Sequence, residues 1–192
     1  GKEEKIVFSG DIGNNDIPLL SEPTMIEDAD YLVMESTYGN RLHMRNDDKA
    51  KLFLDIVSET LKKNGTVVIP SFAVGRTQEI LFELDKLKCQ TTDENIKEKY
   101  NEVMRSSVYV DSPLAISATE IFRQNTDLFD EDVKQRIESG DNPLEFPDLK
   151  FTRTADESRA LNEINIPSII ISASGMCEVG RIKHHLKHNL WN

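Results

Sequence analysis

Val67-Val68-Ile69-Pro70-Ser71-Phe72-Ala73-Val74-Gly75-Arg76 is the stretch whose reading decides the fold. A short β-branched run breaks into a Ser/Gly turn, and an arginine stands where the helical pattern of residues 77–87 opens. In an α/β fold this junction gathers backbone N–H groups, a hydroxyl and a guanidinium around one concave spot, a geometry that suits a phosphate. The same order of parts returns twice. Val108-Tyr109-Val110 runs into Asp111-Ser112-Pro113 and a helical segment over 114–124. Ile169-Ile170-Ile171 runs into Ser172-Ala173-Ser174-Gly175, with a helical segment over 180–190 behind it. Strand ends that each deliver a serine point to one crevice at the carboxyl edge of a parallel sheet.

Working outward, β and α patterns alternate from residue 47 onward. Asp47 or Asp48 can cap a helix carrying Leu52, Ile56, Val57 and Leu61, closed by Asn64-Gly65. A strand over 66–71 and the 77–87 helix follow, with Ile80, Leu81, Leu84 and Leu87 on one face. Residues 91–106 are charged and read as a solvated helix or loop. A strand over 107–110, a helix ending near 125 and an acidic helix over 130–139 come next. Residues 140–150 form a loop, and a short strand spans 149–153. Thr154-Ala155-Asp156-Glu157 is a capping box that opens a helix to about residue 164. Fully apolar strands alternating with helices imply a parallel sheet covered on both faces, a three-layer α/β domain over 41–192.

Residues 1–40 read differently. Strands over 5–9 and 31–34 end in Gly10-Asp11-Ile12-Gly13 and Glu35-Ser36-Thr37-Tyr38-Gly39, joined by a polar connection without a period. Two strands make no independent sheet, so this part reads as a piece of a larger domain. The chain's end, Trp191-Asn192, is equally abrupt.

Composition bounds the function. With 34 acidic and 23 basic residues the net charge is −11, which argues against a nonspecific nucleic-acid coat but leaves room for a local basic groove. No run of about eighteen apolar residues is present, so no membrane partner is expected. Cys89 and Cys177 lack metal-type spacing and fit a reducing cytoplasm.

Candidate chemistry sits at the strand ends. Asp11 and Glu35 occupy positions where metal ligands and proton-transfer groups are found, and an Asx-turn or an exposed turn acid is the alternative for each. Of His43, His184, His185 and His188, the i, i+4 pair His184/His188 lies beside Lys183 and Lys187 and reads as a solvated basic face. No Gly-x-Ser-x-Gly elbow supports a serine hydrolase. Cys177, near a helix start, reads as a small buried hydrophobe.

Taken in order, Ser9-Gly10-Asp11, the Glu35–Gly39 segment, Pro70 to Gln78, Asp111-Ser112-Pro113-Leu114-Ala115 and Ser174-Gly175-Met176 resemble the β-CASP branch of the metallo-β-lactamase superfamily. That branch includes RNase J and the endonuclease subunit of the eukaryotic cleavage and polyadenylation complex. The resemblance implies a β-CASP domain with a fragment of a metallo-β-lactamase αββα domain attached. It implies a ribonuclease that hydrolyses phosphodiester bonds at a site of two zinc ions (Zn2+). Asp11 matches the aspartate that bridges the metals, and Glu35 matches an acid that orients a histidine near the leaving group. RNA would lie along Ser71, Gly75, Arg76, Ser112, Ser174, Gly175 and Arg181, with Arg76 either facing the crevice or paired with Glu79. The family's His-x-His-x-Asp-His ligand set is absent from these residues, so this chain is expected to hold no zinc and to cleave nothing unaided. Its implied partners are RNA and the remainder of its own metallo-β-lactamase domain, with a homodimer left open. A non-catalytic nucleotide- or RNA-binding α/β module is the alternative; such a module has no use for acids at the ends of two orphan strands.

Overall fold

The apolar runs become strands, and the period-3.6 segments between them become helices. The computed structural model describes residues 3–11, 13, 17–42 and 46–191. Ile12, His43 and Asn192 therefore lie outside the described residues, as do the side chains of Asp47 and Asp48. Strands β1 (Ile6–Phe8) and β2 (Tyr31–Val33) pair in parallel, with Ile6 opposite Tyr31 and Phe8 opposite Val33. Helix α1 (Asn46–Lys62) leads to β3 (Val67–Pro70), then α2 (Arg76–Asp85) with a π-helical extension over Lys86–Gln90. Two short helices, α3 (Glu94–Lys99) and α4 (Asn101–Arg105), precede β4 (Ser107–Val110) and α5 (Pro113–Gln124). The chain continues through α6 (Glu131–Glu138), β5 (Leu149–Phe151), α7 (Ala155–Ala160), β6 (Ser168–Ser172) and α8 (Ile182–Asn189).

Strands β3 to β6 form one wholly parallel sheet in the order β3-β6-β4-β5. The last strand in sequence is thus internal, and all five of its residues are buried. Crossovers from β3 to β4 and from β5 to β6 run in opposite directions across this sheet. The right-handed rule for such connections places their helices on opposite faces. The core gathers Val108, Val110, Ile169 and Ile171 from the sheet with Val57, Leu61, Leu81, Leu84 and Ile116 from the helices.

Three expectations need correction. Leu52 and Ile56 of α1 are exposed, and the helix buries Val57 and Leu61 with Phe53 and Leu54 packed alongside. Residues 91–106 are solvated only in part: Tyr100 and Val103 enter the core where α4 packs on α1. The connection between β1 and β2, expected as polar and without a period, carries an apolar anchor. Leu19 is buried in the same core, Leu20 bridges Phe129, and Ser21 Oγ donates to Phe129 O at 2.9 Å.

Candidate functional site at the carboxyl edge of the sheet

Asp111, the first residue past β4, is the hub of this edge. Its side chain has no solvent exposure. Oδ1 accepts from Thr152 Oγ1 at 2.5 Å, just beyond β5, and from Arg181 Nη1 at 2.8 Å. Oδ2 accepts from Ser158 Oγ of α7 and from His185 Nε2 of α8, each at 2.6 Å. Asp111 N–H donates to Ile171 O at 2.8 Å, and its own carbonyl accepts Ser172 Oγ at 2.8 Å. His185 is fully buried, with Nδ1 2.9 Å from Asn162 Oδ1.

Burial alone would push the Asp111 carboxyl up. The donors His185, Ser158, Thr152 and Arg181 outweigh it and hold the carboxyl down at about 2. Asp85 makes the opposite case: burial raises its carboxyl above the usual range although Arg136 Nη2 stands 2.5 Å away. Within the Asp111 cluster, Ser158 donates to the carboxylate rather than to the imidazole. The arrangement therefore activates no nucleophile in the manner of a hydrolase triad; it fastens α7, α8 and the ends of β4 and β5 together.

The predicted RNA-facing residues divide into two groups. Ser71, Ser112 and Arg181 spend their polar atoms inside the fold. Ser71 Oγ donates to Phe72 O at 3.2 Å and accepts from Thr77 Oγ1 at 3.1 Å. Ser112 Oγ caps α5 by accepting Ala115 N–H at 3.2 Å. Arg181 adds bonds from Nη1 to Thr152 O and from Nη2 to Arg153 O. These three hold the edge from beneath, and the free hydroxyls and free guanidinium that the phosphate reading asked of them are not present in this geometry.

The second group lies nearer the surface. Gly75, at φ 81°, begins α2 with no side chain to cap it, and nothing lies within 4 Å of where a Cβ would stand. Arg76 Nη1 meets Glu79 Oε2 at 2.6 Å. Ser174 and Gly175 are half-buried in the turn past β6. Arg76, Ser71 and Gly175 line one groove of about 710 Å3, whereas Ser174 and Ser112 are not part of its lining. The single crevice expected from the serine-bearing strand ends is thus two structures: a closed polar cluster under β4, β5 and β6, and an open groove beside β3.

Asp11 and Glu35 leave the β1/β2 pair at the same end, because the strands are parallel and Ser9 N–H donates to Val33 O at 2.9 Å. Both acids are exposed. Glu35 Oε2 accepts Thr37 N–H at 2.5 Å, the local turn bond that the alternative reading of this residue describes. Among the described residues no group of three or more His, Cys, Asp and Glu side chains is placed to hold a metal ion. Zinc takes three or four protein ligands, so these residues do not by themselves form its site, and Asp11 fits it only as one oxygen of a larger set. No described helix is long and apolar enough to cross a membrane.

Asp111, Thr152, Ser158 and His185 escaped the sequence reading as a unit. His184 and His188 are exposed as expected, but the histidine between them faces inward. The available signal was helical phase: Ile182 and His185 are three apart, and both are buried.

A parallel α/β sheet with these edge motifs defines a known class. A family model described as Beta-Casp domain matches residues 77–192, and the chain belongs to the β-CASP family. Among its relatives is ribonuclease TTHA0252 of Thermus thermophilus, 34% identical over 190 residues, covering 99% of this chain and 41% of that protein. An RNase J-like protein of Methanocaldococcus jannaschii is 33% identical over 187 residues, covering 96% and 40%. Cleavage and polyadenylation specificity factor 73 of Drosophila melanogaster is 26% identical over 177 residues, covering 92% and 24%. The chain spans about two fifths of the length of the first two relatives.

Proposed function

We propose that this chain is the RNA-binding β-CASP portion, with an attached metallo-β-lactamase fragment, of a zinc-dependent ribonuclease that works in the cytoplasm. Residues 1–40 supply strands of the metal-bearing domain, and residues 41–192 form the roof that holds RNA. The observation that carries the reading is the parallel β1/β2 pair. It sends Asp11 and Glu35 out at one end, in a chain whose relatives include proteins named ribonuclease. A binding module without catalysis would have no need of that pair.

Asp11 contributes one carboxylate oxygen to a zinc-binding set completed by residues outside the described ones. Glu35, leaving the strand pair at the same end, orients a proton-transferring group. RNA passes along the surface formed by Gly75, Arg76, Ser174 and Gly175, with Ser71, Ser112 and Arg181 fixing that surface from below. Backbone recognition of this kind positions a strand with little base reading.

The test uses the full-length protein. Glu35→Gln should lower turnover on RNA by about two orders of magnitude or more, the scale of an acid–base group, while metal content by elemental analysis stays unchanged. Asp11→Asn should lower both. A Glu35→Gln protein with full activity would overturn the assignment of this strand end to the catalytic edge.

A further inference from the structure

The groove beside β3 suits a flat ring better than a phosphate. Phe53, Ile69, Pro70 and Ile80 give it an apolar lining, and its volume of about 710 Å3 falls within the ordinary range for ligand pockets. Phe72 stands at its rim, 55% exposed, while Ile69 and Pro70 just before it are half-buried in the lining. That exposure is built in. Phe72 O accepts Thr77 Oγ1 at 2.7 Å, which pins the backbone of the turn. The ring lies against Gly175, where a Cβ would come within 3.2 Å of ring carbons Cδ2 and Cε2 and of Phe72 N. The turns past β3 and β6 therefore clasp one side of the ring and leave the other side open.

The charges point the same way. The cations of the lining, Lys49 and Arg76, are matched by Glu79 and Glu83, and Arg76 is already bonded to Glu79. A phosphate placed here would face two carboxylates. A neutral nucleobase would not be repelled, and its N–H edges are donors that carboxylates accept.

We propose that this groove is a nucleobase subsite in which one unpaired base of single-stranded RNA stacks on the open side of Phe72, with Gly175 as the residue that positions the ring. The proposal rests on the ribonuclease reading above and adds to its backbone contacts a site for a base. Stacking on an aromatic side chain is tolerant of base identity, so the expected ligand is any unpaired base rather than one sequence.

The experiment measures binding of full-length protein to a fluorescein-labelled single-stranded oligouridylate across a salt series. Phe72→Ala and Phe72→Leu should each weaken binding by about tenfold, with the slope of log affinity against log salt unchanged, since stacking neutralises no phosphate. Phe72→Trp should keep wild-type affinity, and its indole emission should be quenched as RNA is added. Unchanged affinity in the Leu variant, an unquenched Trp variant, or a salt slope reduced by about one unit would each overturn the subsite. If those results come with wild-type protein that cleaves RNA, only the subsite falls. If the wild-type protein neither binds nor cleaves RNA, the ribonuclease reading falls and the subsite with it.

Discussion

Asp111→Asn should unfold this domain far more easily than any surface change. The carboxylate accepts from Thr152 and Arg181 on one oxygen and from Ser158 and His185 on the other. An asparagine offers one oxygen and one NH2 group; the hydroxyl on the NH2 side can turn to accept, but the Arg181 guanidinium or the His185 N–H beside it would face another donor, and Arg181 would lose its buried counter-charge. Removing one partner of a buried ion pair costs about 3–5 kcal/mol. That is a large share of the roughly 5–15 kcal/mol that holds a domain together. At about 2–4 °C per kcal/mol for a domain of this size, Tm should fall by about 6–20 °C. The acid limb supplies an independent check. The Asp111 carboxyl is depressed from 3.8 to about 2 in the fold, so its contribution is full above about pH 4 and is lost as pH falls through about 2. The depression corresponds to about 2 kcal/mol. Urea unfolding followed by far-UV circular dichroism at a series of pH values reads both effects: wild type should lose this component between pH 4 and 2, and the variant should not. A loss below about 1 kcal/mol at neutral pH, or identical acid limbs, would refute the assignment of Asp111 as the fastening point.

Two glycines make a matched pair. Gly180 has φ 85° and a Cβ there would lie 2.4 Å from Ala173 O, whereas Gly75 has φ 81° with nothing within 4 Å. Gly180→Ala should therefore destabilise by about 3 kcal/mol or more and Gly75→Ala by about 1–2 kcal/mol; equal shifts in thermal unfolding would remove the steric argument. Thr154 caps α7 through a bond from Glu157 N–H at 3.2 Å, with Glu157 returning to Thr154 N–H at 2.9 Å. Thr154→Ala should cost about 1 kcal/mol, with faster hydrogen exchange in α7 and little change in β6; an unaffected α7 would show the cap to be dispensable.

The centre of the sheet was legible because β6 is buried on both faces and so carries an uninterrupted apolar run, Ile169-Ile170-Ile171, whereas β5 has the exposed Lys150 in its middle. The capping box at Thr154 was legible because it is a local device, with every partner within four residues. The Asp111 cluster was not, since its partners lie 41, 47, 70 and 74 residues away and only topology brings them together. Nothing in Ser158 or Thr152 as residue types distinguishes a buried donor from a surface hydroxyl. Leu52 and Ile56 were misplaced because α1 has apolar residues on more than one face, and the pattern alone does not say which face meets the core. The exposure of Phe72 was not legible, since exposure of an aromatic ring is a property of the turn and not of the residue.

The strand order β3-β6-β4-β5 also fixes when the domain can exist during synthesis. β3 and β4 do not pair with each other; β4 can pair with β5, but β3 waits for β6, which leaves the ribosome after more than 160 residues have emerged. Until then β3 is a lone strand with both backbone edges unpaired, and Asp111 lacks Arg181 and His185. A nascent chain cannot build this sheet progressively from its amino terminus, as a meander could. It must hold β3 unpaired and then insert β6 between β3 and the β4/β5 pair, a non-local step of the kind that makes folding slow and leaves edges open to other chains. The triple isoleucine of β6 is the natural counterweight, because of these four strands the one that follows the others in sequence also has the most to bury.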